Sequence, residues 1–203
     1  IHKLISKSLK NLKIKKLYGL IIHNPNILDE TMFKKICKQV VDLKKRNIIN
    51  KFGISIYYPW ELYKFKILKI IDILQVPISI FDRRFLKKNL LKKIKKNNIE
   101  IHARSIFLQG LLISNYKDIP KKFDKWNNVW NKWDISTKCN KFEKLSACLS
   151  FVLEKNYIDK IIVGVNSLQN LKDITYNFKY KKKYSSIPEF TNKINSINSM
   201  LWN

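Results

Sequence analysis

Short apolar runs rich in β-branched residues alternate with amphipathic patterns along most of the chain. Five segments have the length and composition of strands: Leu17–Pro25, Phe52–Pro59, Ile73–Asp82, Ile99–Ser105 and Lys160–Ser167. Their predicted strands are Leu17–Ile22, Gly53–Tyr57, Leu74–Ile80, Ile99–Ala103 and Lys160–Val165. Near-continuous apolar strands of this kind are typical of a parallel sheet that helices cover on both faces. The pattern therefore predicts an α/β fold with five parallel strands.

Around the strands, apolar residues recur at helical spacing. Helices are expected over Ile1–Lys16, Asp29–Arg46, Trp60–Ile71, Arg84–Asn97, Phe142–Leu153, 168–179 and 188–202. Pro77 falls inside the third strand, where we expect a bend or a missing hydrogen bond because proline lacks an N–H. Trp126, Trp130 and Trp133 are spaced as on a helix, which favours a packing stripe over a surface that stacks on nucleic-acid bases.

Polar side chains occur where most of the strands end. These residues are His23, Ser55, Arg104, Ser105, Asn166 and Ser167. Gln75 is a less certain member of the set, because it falls early in its strand. Parallel α/β folds place their chemistry at the carboxyl ends of their strands. We therefore expect these side chains to line one shared pocket.

The missing sequence motifs narrow the choice of fold. A dinucleotide-binding fold of the Rossmann type needs a glycine-rich loop after its first strand, and neither GxGxxG nor GxxxxGK[ST] occurs in the sequence. A barrel topology remains, although five strands cannot close an eight-stranded barrel. We predict an incomplete (β/α)8 TIM barrel in which parallel strands alternate with helices. Because no repeat or flexible linker interrupts it, residues 1–203 are expected to form a single domain.

The formal net charge of +26 would ordinarily indicate a nucleic-acid partner. Only four of the 41 basic residues are arginines, however, and the arginine fork is the side chain best suited to phosphate and base recognition. The lysines are spread over almost every predicted helix, so a solvated basic surface is the favoured interpretation. No apolar run is long enough to span a bilayer. Neither a nucleic acid nor a membrane is therefore the expected partner.

Three cysteines, Cys37, Cys139 and Cys148, lack CxxC spacing and are odd in number. Buried, reduced thiols are favoured over metal or redox roles. We predict no metal site, and a reducing cytoplasm is the expected compartment.

Five motifs in order resemble the aldo-keto reductase family over nearly the whole chain. LIIHNP resembles the family's fourth strand, which ends in the catalytic histidine, and KFGISIY resembles the fifth. ILQVPISIFDRR resembles the sixth strand, and IEIHARSIFLQGLL the seventh strand with its following loop. KIIVGVNSLQNL resembles the eighth strand with its phosphate-binding turn. Each motif alone is weak, and their order carries the resemblance.

The resemblance implies a carbonyl reductase that uses NAD(P)H, and it implies roles for the matching residues. His23 resembles the histidine that orients and polarises the substrate carbonyl. Ser55 and Gln75 resemble the partners of the nicotinamide carboxamide. Ser105 resembles a serine that contacts the pyrophosphate, and Ser167 lies in the turn that meets the adenosine phosphate.

Several positions depart from the family's pattern. Ile56 replaces the asparagine that usually follows the serine of strand five, and Arg104 replaces a tyrosine that often stacks on the nicotinamide. Asn170 stands where many members carry an arginine for a 2′-phosphate. The family's catalytic Asp, Tyr and Lys belong to strands two and three, which would precede Ile1. The resemblance therefore implies a carboxyl-terminal portion, strands four to eight, that is catalytically incomplete.

Two classes of function remain open. The first is an NAD(P)H-dependent reductase of a small-molecule aldehyde or ketone. The second is a noncatalytic basic protein on a degenerate barrel, with RNA or DNA as its ligand. A tyrosine and a lysine at the expected strand ends of an upstream reading frame would favour the enzyme. The sequence names neither the substrate nor the oligomeric state.

Overall fold

The computed structural model describes residues 1–179, apart from the side chains of residues 64–67 and 125. The strands of this part are β1 (Leu17–Ile22), β2 (Ile49–Ser55), β3 (Ile73–Pro77), β4 (Glu100–Arg104) and β5 (Lys160–Ile161). They form one parallel sheet whose strand order follows the chain, β1-β2-β3-β4-β5. This arrangement confirms the predicted α/β fold, and sequential strand order is that of part of a (β/α)8 barrel.

Helices separate the strands. The α-helices of the described residues are α1 (His2–Leu12), α2 (Glu30–Lys45), α3 (Leu90–Lys95), α4 (Asn127–Ser136), α5 (Lys141–Leu153) and α6 (Leu168–Lys179). Short 3₁₀ helices cover Pro25–Ile27, Pro59–Lys69, Arg84–Asn89, Leu108–Ile113, Tyr116–Asp118 and Lys121–Trp126. The helix predicted over 188–202 lies outside the described residues.

The chain divides into two compact units. The first comprises Ile1–Val76 and Asn89–His102, and the second comprises Pro77–Lys88 and the chain from Ala103 onward. The expectation of a single domain stays a prediction.

In the first unit, the close approach of β2 and β3 requires a glycine. A Cβ added at Gly53 would lie 2.5 Å from the carbonyl oxygen of Ile73, so only glycine allows β2 and β3 to approach this closely. The apolar side of α2 is buried through Phe33, Val40 and Leu43. The helix begins at Asp29, whose Oδ1 accepts a hydrogen bond from Met32 N at 2.7 Å.

In the second unit, the tryptophan stripe is part of the core. Trp130 and Trp133 are buried, and the ring of Phe81 lies 5.1 Å from that of Trp130. Trp133 Nε1 donates to the carbonyl oxygen of Leu112 at 2.9 Å, which satisfies its only polar group. The predicted packing stripe is therefore confirmed for these two tryptophans.

Three strands have bounds that differ from the prediction by more than one residue. β2 spans Ile49–Ser55 instead of Gly53–Tyr57. β3 ends at Pro77 instead of continuing to Ile80, because the missing proline N–H interrupts the ladder. One backbone bond follows, from Ile78 N to Arg104 O at 3.1 Å. β5 ends at Ile161 instead of Val165, since it is the last strand in the sheet order of the described chain and pairs on one side.

Two helix predictions were also wrong. The basic helix expected over Arg84–Asn97 is interrupted at Lys88 and Asn89, whose φ angles of 52° and 54° are left-handed. Asparagine tolerates this conformation better than most residues, and α3 begins directly after it. The segment expected as a helix from Trp60 is a 3₁₀ helix from Pro59 to Lys69, entered through a bond from Glu61 N to Tyr58 O, three residues earlier.

Candidate functional site

Three of the predicted site residues are neighbours in the register of the first unit. Ile22, the last residue of β1, pairs with Ile54 of β2, so His23 and Ser55 occupy the next level of the two strands. Ser55 in turn pairs with Gln75 of β3. Gln75 is the central residue of β3, and β3 begins late enough relative to β2 for Gln75 to pair with the last residue of β2. Sequence alone left this residue uncertain because it does not reveal where β3 starts relative to β2.

The three residues differ in exposure. Ser55 is fully buried, Gln75 is half-buried, and His23 is exposed. His23 precedes the short 3₁₀ helix Pro25–Ile27, which is capped by a bond from Asn26 N to Asn24 Oδ1 at 3.2 Å. Of the three, His23 is thus the side chain that a dissolved molecule reaches directly.

The second unit contains a cavity of about 840 Å³. It is bounded by the end of β4, the loop that follows, the start of α5 and the turn between β5 and α6. Arg104, Ser105 and Asn166 line it from strand ends and turns, and Asn170 lines it from the first turn of α6. Ser167, which the sequence analysis also selected, is not among the lining residues. Its Oγ accepts a hydrogen bond from Asn170 N at 3.1 Å and so stabilises the first turn of α6.

The lining of this cavity includes charged side chains and residues with left-handed backbone conformations. Arg104 Nη1 donates to Ser105 Oγ at 3.2 Å, and the charged side chains of Lys141 and Asp173 also line the cavity. Ser105 and Gln109 have positive φ angles of 57° and 53°. Such backbone conformations are costly for residues other than glycine, and they are concentrated at ligand sites.

Sequence reasoning missed Lys141 and the pair formed by Tyr57 and Glu61. Tyr57 belongs to the site because its ring contacts that of His23, with centroids 6.3 Å apart and planes inclined by 89°. The sequence did contain a signal for Glu61, since a glutamate two residues after Pro59 is well placed to bind backbone N–H groups at a helix start. Lys141 had no signal, because it reaches the cavity from a helix more than 30 residues after β4.

The cysteines fit the predicted thiol state in part. Cys37, Cys139 and Cys148 are all free. Cys148 is buried, and desolvation raises the pKa of its thiol despite the nearby charge of Lys144. Cys139 is exposed and lines the cavity, so the expectation of buried thiols was wrong there.

Residues 1–179, as far as the structure describes them, show neither a cluster of metal ligands nor a membrane-spanning helix. No group of three or more histidine, cysteine, aspartate or glutamate side chains in this part of the chain is arranged to hold a metal ion. No helix in it has the length and apolar character needed to cross a membrane.

Comparison with protein families matches residues 1–195 to the aldo/keto reductase family. Comparison with curated proteins gave no match. Among solved structures, the chain is similar to the glycerol dehydrogenase from Gluconobacter oxydans, with a TM-score of 0.60 and 16% identity over 94% of this chain and 67% of that one.

Two more solved structures show the same fold. The holo form of an aldo-keto reductase from Bacillus halodurans has a TM-score of 0.62 and 15% identity, over 98% of this chain and 65% of that one. An aldo/keto reductase from Brucella melitensis has a TM-score of 0.59 and 17% identity, over 98% and 65% respectively. The chain thus spans about two thirds of the length of these structures.

Proposed function

This chain belongs to the aldo/keto reductase family, and we propose that it serves the NAD(P)H-dependent reduction of a small-molecule aldehyde or ketone. The observation that carries the proposal is the cavity of the second unit, whose lining includes Arg104, Ser105, Asn166 and Asn170. Residues after β4 and after β5 are those that the family resemblance assigned to the cofactor.

The cavity suits the phosphate-bearing half of a nicotinamide cofactor. Its volume of about 840 Å³ falls within the range of about 300–1,000 Å³ found for small-molecule sites. The Arg104 guanidinium is a planar, permanently charged fork that binds phosphate oxygens in pairs, and the Ser105 hydroxyl can donate a further bond. These two side chains would hold the pyrophosphate.

In the first unit, Ser55 and Gln75 would hold the nicotinamide carboxamide. That group contains one acceptor and one NH₂ donor, and a glutamine side chain can satisfy both. Ile56 is fully buried and apolar, so it contributes nothing in place of the family's usual asparagine. We therefore assign the carboxamide to the neighbouring pair Ser55 and Gln75 alone.

His23 would act on the substrate. A reduced nicotinamide, when bound, supplies a hydride for the carbonyl carbon. An N–H of His23 donates to the carbonyl oxygen, which orients the substrate and stabilises the negative charge that develops there. Protonation of that oxygen requires a general acid, and the resemblance assigns no residue of this chain to that role.

Both NADH and NADPH are proposed as cofactors. Asn170 lines the cavity and carries no charge to neutralise a 2′-phosphate. Lys172 is exposed and does not line the cavity, whereas Lys141 does. The free thiols agree with a reducing compartment such as the cytoplasm.

Fluorescence titration of the 203-residue chain with NADH and NADPH tests the proposal. Arg104→Met should weaken binding of both about 10- to 100-fold, because a charge-assisted phosphate contact is lost. Arg46→Met is the matched control, since Arg46 is exposed and pairs only weakly with Asp42 at 3.4 Å. An equal loss of cofactor affinity in the two variants would show that the cofactor is attracted only by the basic surface as a whole. A large preference for NADPH would contradict the proposed acceptance of NADH.

A further inference from the structure

The imidazole of His23 lies edge-on to the ring of Tyr57. The ring centroids are 6.3 Å apart and the planes are inclined by 89°, which is the favourable T-shaped arrangement of two aromatic rings. Tyr57 follows Ser55 by two residues, just past the end of β2, while His23 directly follows β1. The contact therefore connects the ends of two adjacent strands.

Tyr57 is itself held by a buried carboxylate. Glu61 is 1% exposed. Its Oε1 accepts hydrogen bonds from Tyr58 N at 2.8 Å and from Tyr57 N at 3.2 Å. Glu61 N donates to Tyr58 O at 3.1 Å, so the turn is closed in both directions. Charge-assisted bonds to backbone N–H groups are the stronger kind, and here they fix the main chain that carries Tyr57.

The two oxygens of Glu61 differ in their contacts. Oε2 is buried and has no hydrogen-bond partner among the described residues. A buried oxygen without a partner is unfavourable. The group is nevertheless placed so that its other oxygen closes the turn beside Tyr57.

From this geometry we propose that Tyr57 is a positioning residue for His23 and that Glu61 holds Tyr57 in place. The proposal rests on the proposed function, in which His23 donates a hydrogen bond to the substrate oxygen. An exposed imidazole is free to adopt several rotamers. The ring of Tyr57 favours one of them, and a fixed N–H direction is what carbonyl polarisation requires.

Proton NMR of the three histidine rings in the 203-residue chain measures this positioning directly. His23→Asn identifies the signals of His23, and His2 serves as an internal reference for an exposed imidazole. The wild-type chain should show nuclear Overhauser effects between the rings of His23 and Tyr57. The His23 ring protons should also be displaced from the positions of His2 by the ring current of Tyr57.

Tyr57→Leu should remove that displacement and move the His23 signals to those of His2. Tyr58→Leu is the matched control, because Tyr58 lies in the same turn but stacks on Trp60 at 6.0 Å. It should leave the His23 signals unchanged. Buried His102 reports in each variant that the first unit remains folded. Absence of the Overhauser effects in the wild type, or His23 signals that are unchanged in Tyr57→Leu, would overturn the proposal.

Two substitutions of Glu61, one conservative and one truncating, test whether it holds Tyr57 in place. Glu61→Gln retains a carbonyl oxygen that can accept both backbone bonds, so the His23 displacement should survive. Glu61→Ala removes the acceptor, and the His23 signals should move toward those of His2. Equal effects of the two substitutions, or no effect of Glu61→Ala, would contradict the role of Glu61.

Addition of NADH separates this proposal from the proposed function. A change in the His23 signals on titration supports cofactor binding near this histidine. If NADH has no effect while Tyr57→Leu still shifts His23, the reductase function fails and the contact between Tyr57 and His23 stands.

Discussion

Among single residues, Glu100 joins three strands of the first unit through its polar contacts. Its carboxylate accepts hydrogen bonds from the Tyr18 hydroxyl at 2.6 and 2.7 Å and from Lys51 Nζ, and His102 Nε2 lies 3.2 Å from Oε2. These residues lie in the first half of β1, β2 and β4, whereas the candidate site lies at the carboxyl ends. The cluster therefore stabilises the sheet and plays no part in the proposed chemistry.

Glu100 should make the chain sensitive to acid. Burial raises the pKa of its carboxyl, but hydrogen bonds from Lys51, Tyr18 and His102 outweigh burial and lower the pKa to about 2. A carboxyl with a lowered folded-state pKa contributes stability above its unfolded-state value, and this contribution is lost as the pH falls toward 2. Glu100→Gln should therefore lower the unfolding free energy at pH 7 by about 2 kcal/mol.

Urea unfolding between pH 7 and pH 3 measures this contribution. The difference between wild type and Glu100→Gln should shrink as the solution is acidified. Asp42→Asn is the control, because Asp42 forms only an exposed pair with Arg46 and should change stability by less than about 0.5 kcal/mol. A difference that stays constant with pH would exclude the charged form of Glu100 as its source.

Among the elements, α5 depends on a buried lysine. Lys144 is fully buried, with Nζ 2.5 Å from Asp134 Oδ1 and 2.6 Å from the carbonyl oxygen of Ser114. Asp134 Oδ2 also accepts from Tyr116 N at 3.2 Å. The ion pair thus joins α5 to α4 and to the loop that precedes α4.

Lys144→Met should be strongly destabilising. Removal of one partner leaves Asp134 as a largely buried charge without its counter-ion, which costs about 3–5 kcal/mol. Lys141→Met, an exposed lysine on the same helix, should cost less than about 0.5 kcal/mol. Chemical denaturation of the two variants makes the comparison, and similar midpoints would show that the buried pair contributes little.

The elements also show what sequence could predict. Apolar periodicity located all five strands. Burial accounts for the strong apolar signal of β2 and β3, whereas β1 and β5, at the two ends of the strand order, are only partly buried. The break at Lys88 and Asn89 was missed, since two backbone angles determine it and no pattern of apolar residues reports them. The contact of Tyr18 with Glu100, 82 residues away, was equally invisible, because only the strand order brings the two side chains together.

The candidate site was likewise predicted in part from the sequence and missed in part. Polar residues at strand ends were found by position, and the register of Ser55 and Gln75 agrees with a common level. Lys141 lines the cavity from a helix that is distant in sequence, and no motif marked it. Ser167 was selected by its place in a turn, yet it caps α6 and does not line the cavity.

At the scale of the whole molecule, the 203-residue chain is expected to bind cofactor without reducing carbonyls. His23 can polarise a carbonyl, but the general acid that completes the reaction is not assigned to any residue of this sequence. General acid–base catalysis alone contributes about 10²–10⁴-fold. An absorbance assay with NADH or NADPH and a panel of aldehydes should show no turnover above background. Cofactor oxidation that scales with protein and disappears in His23→Ala would contradict this expectation.

The net charge of +26 offers an alternative explanation for cofactor binding, since any polyanion is attracted to such a surface. A basic surface recognises phosphates and cannot recognise a nicotinamide. The two explanations therefore differ in whether the nicotinamide half of the cofactor adds affinity.

Calorimetric titration with NADH and with ADP-ribose, which lacks the nicotinamide, measures that difference. NADH should bind more tightly to the wild-type chain, and Gln75→Ala should weaken NADH binding about fivefold, the equivalent of one hydrogen bond, while ADP-ribose binding is unchanged. This result would establish that the paired residues Ser55 and Gln75 hold a nicotinamide. Equal affinities for NADH and ADP-ribose, in the wild type and in Gln75→Ala alike, would contradict the nicotinamide site.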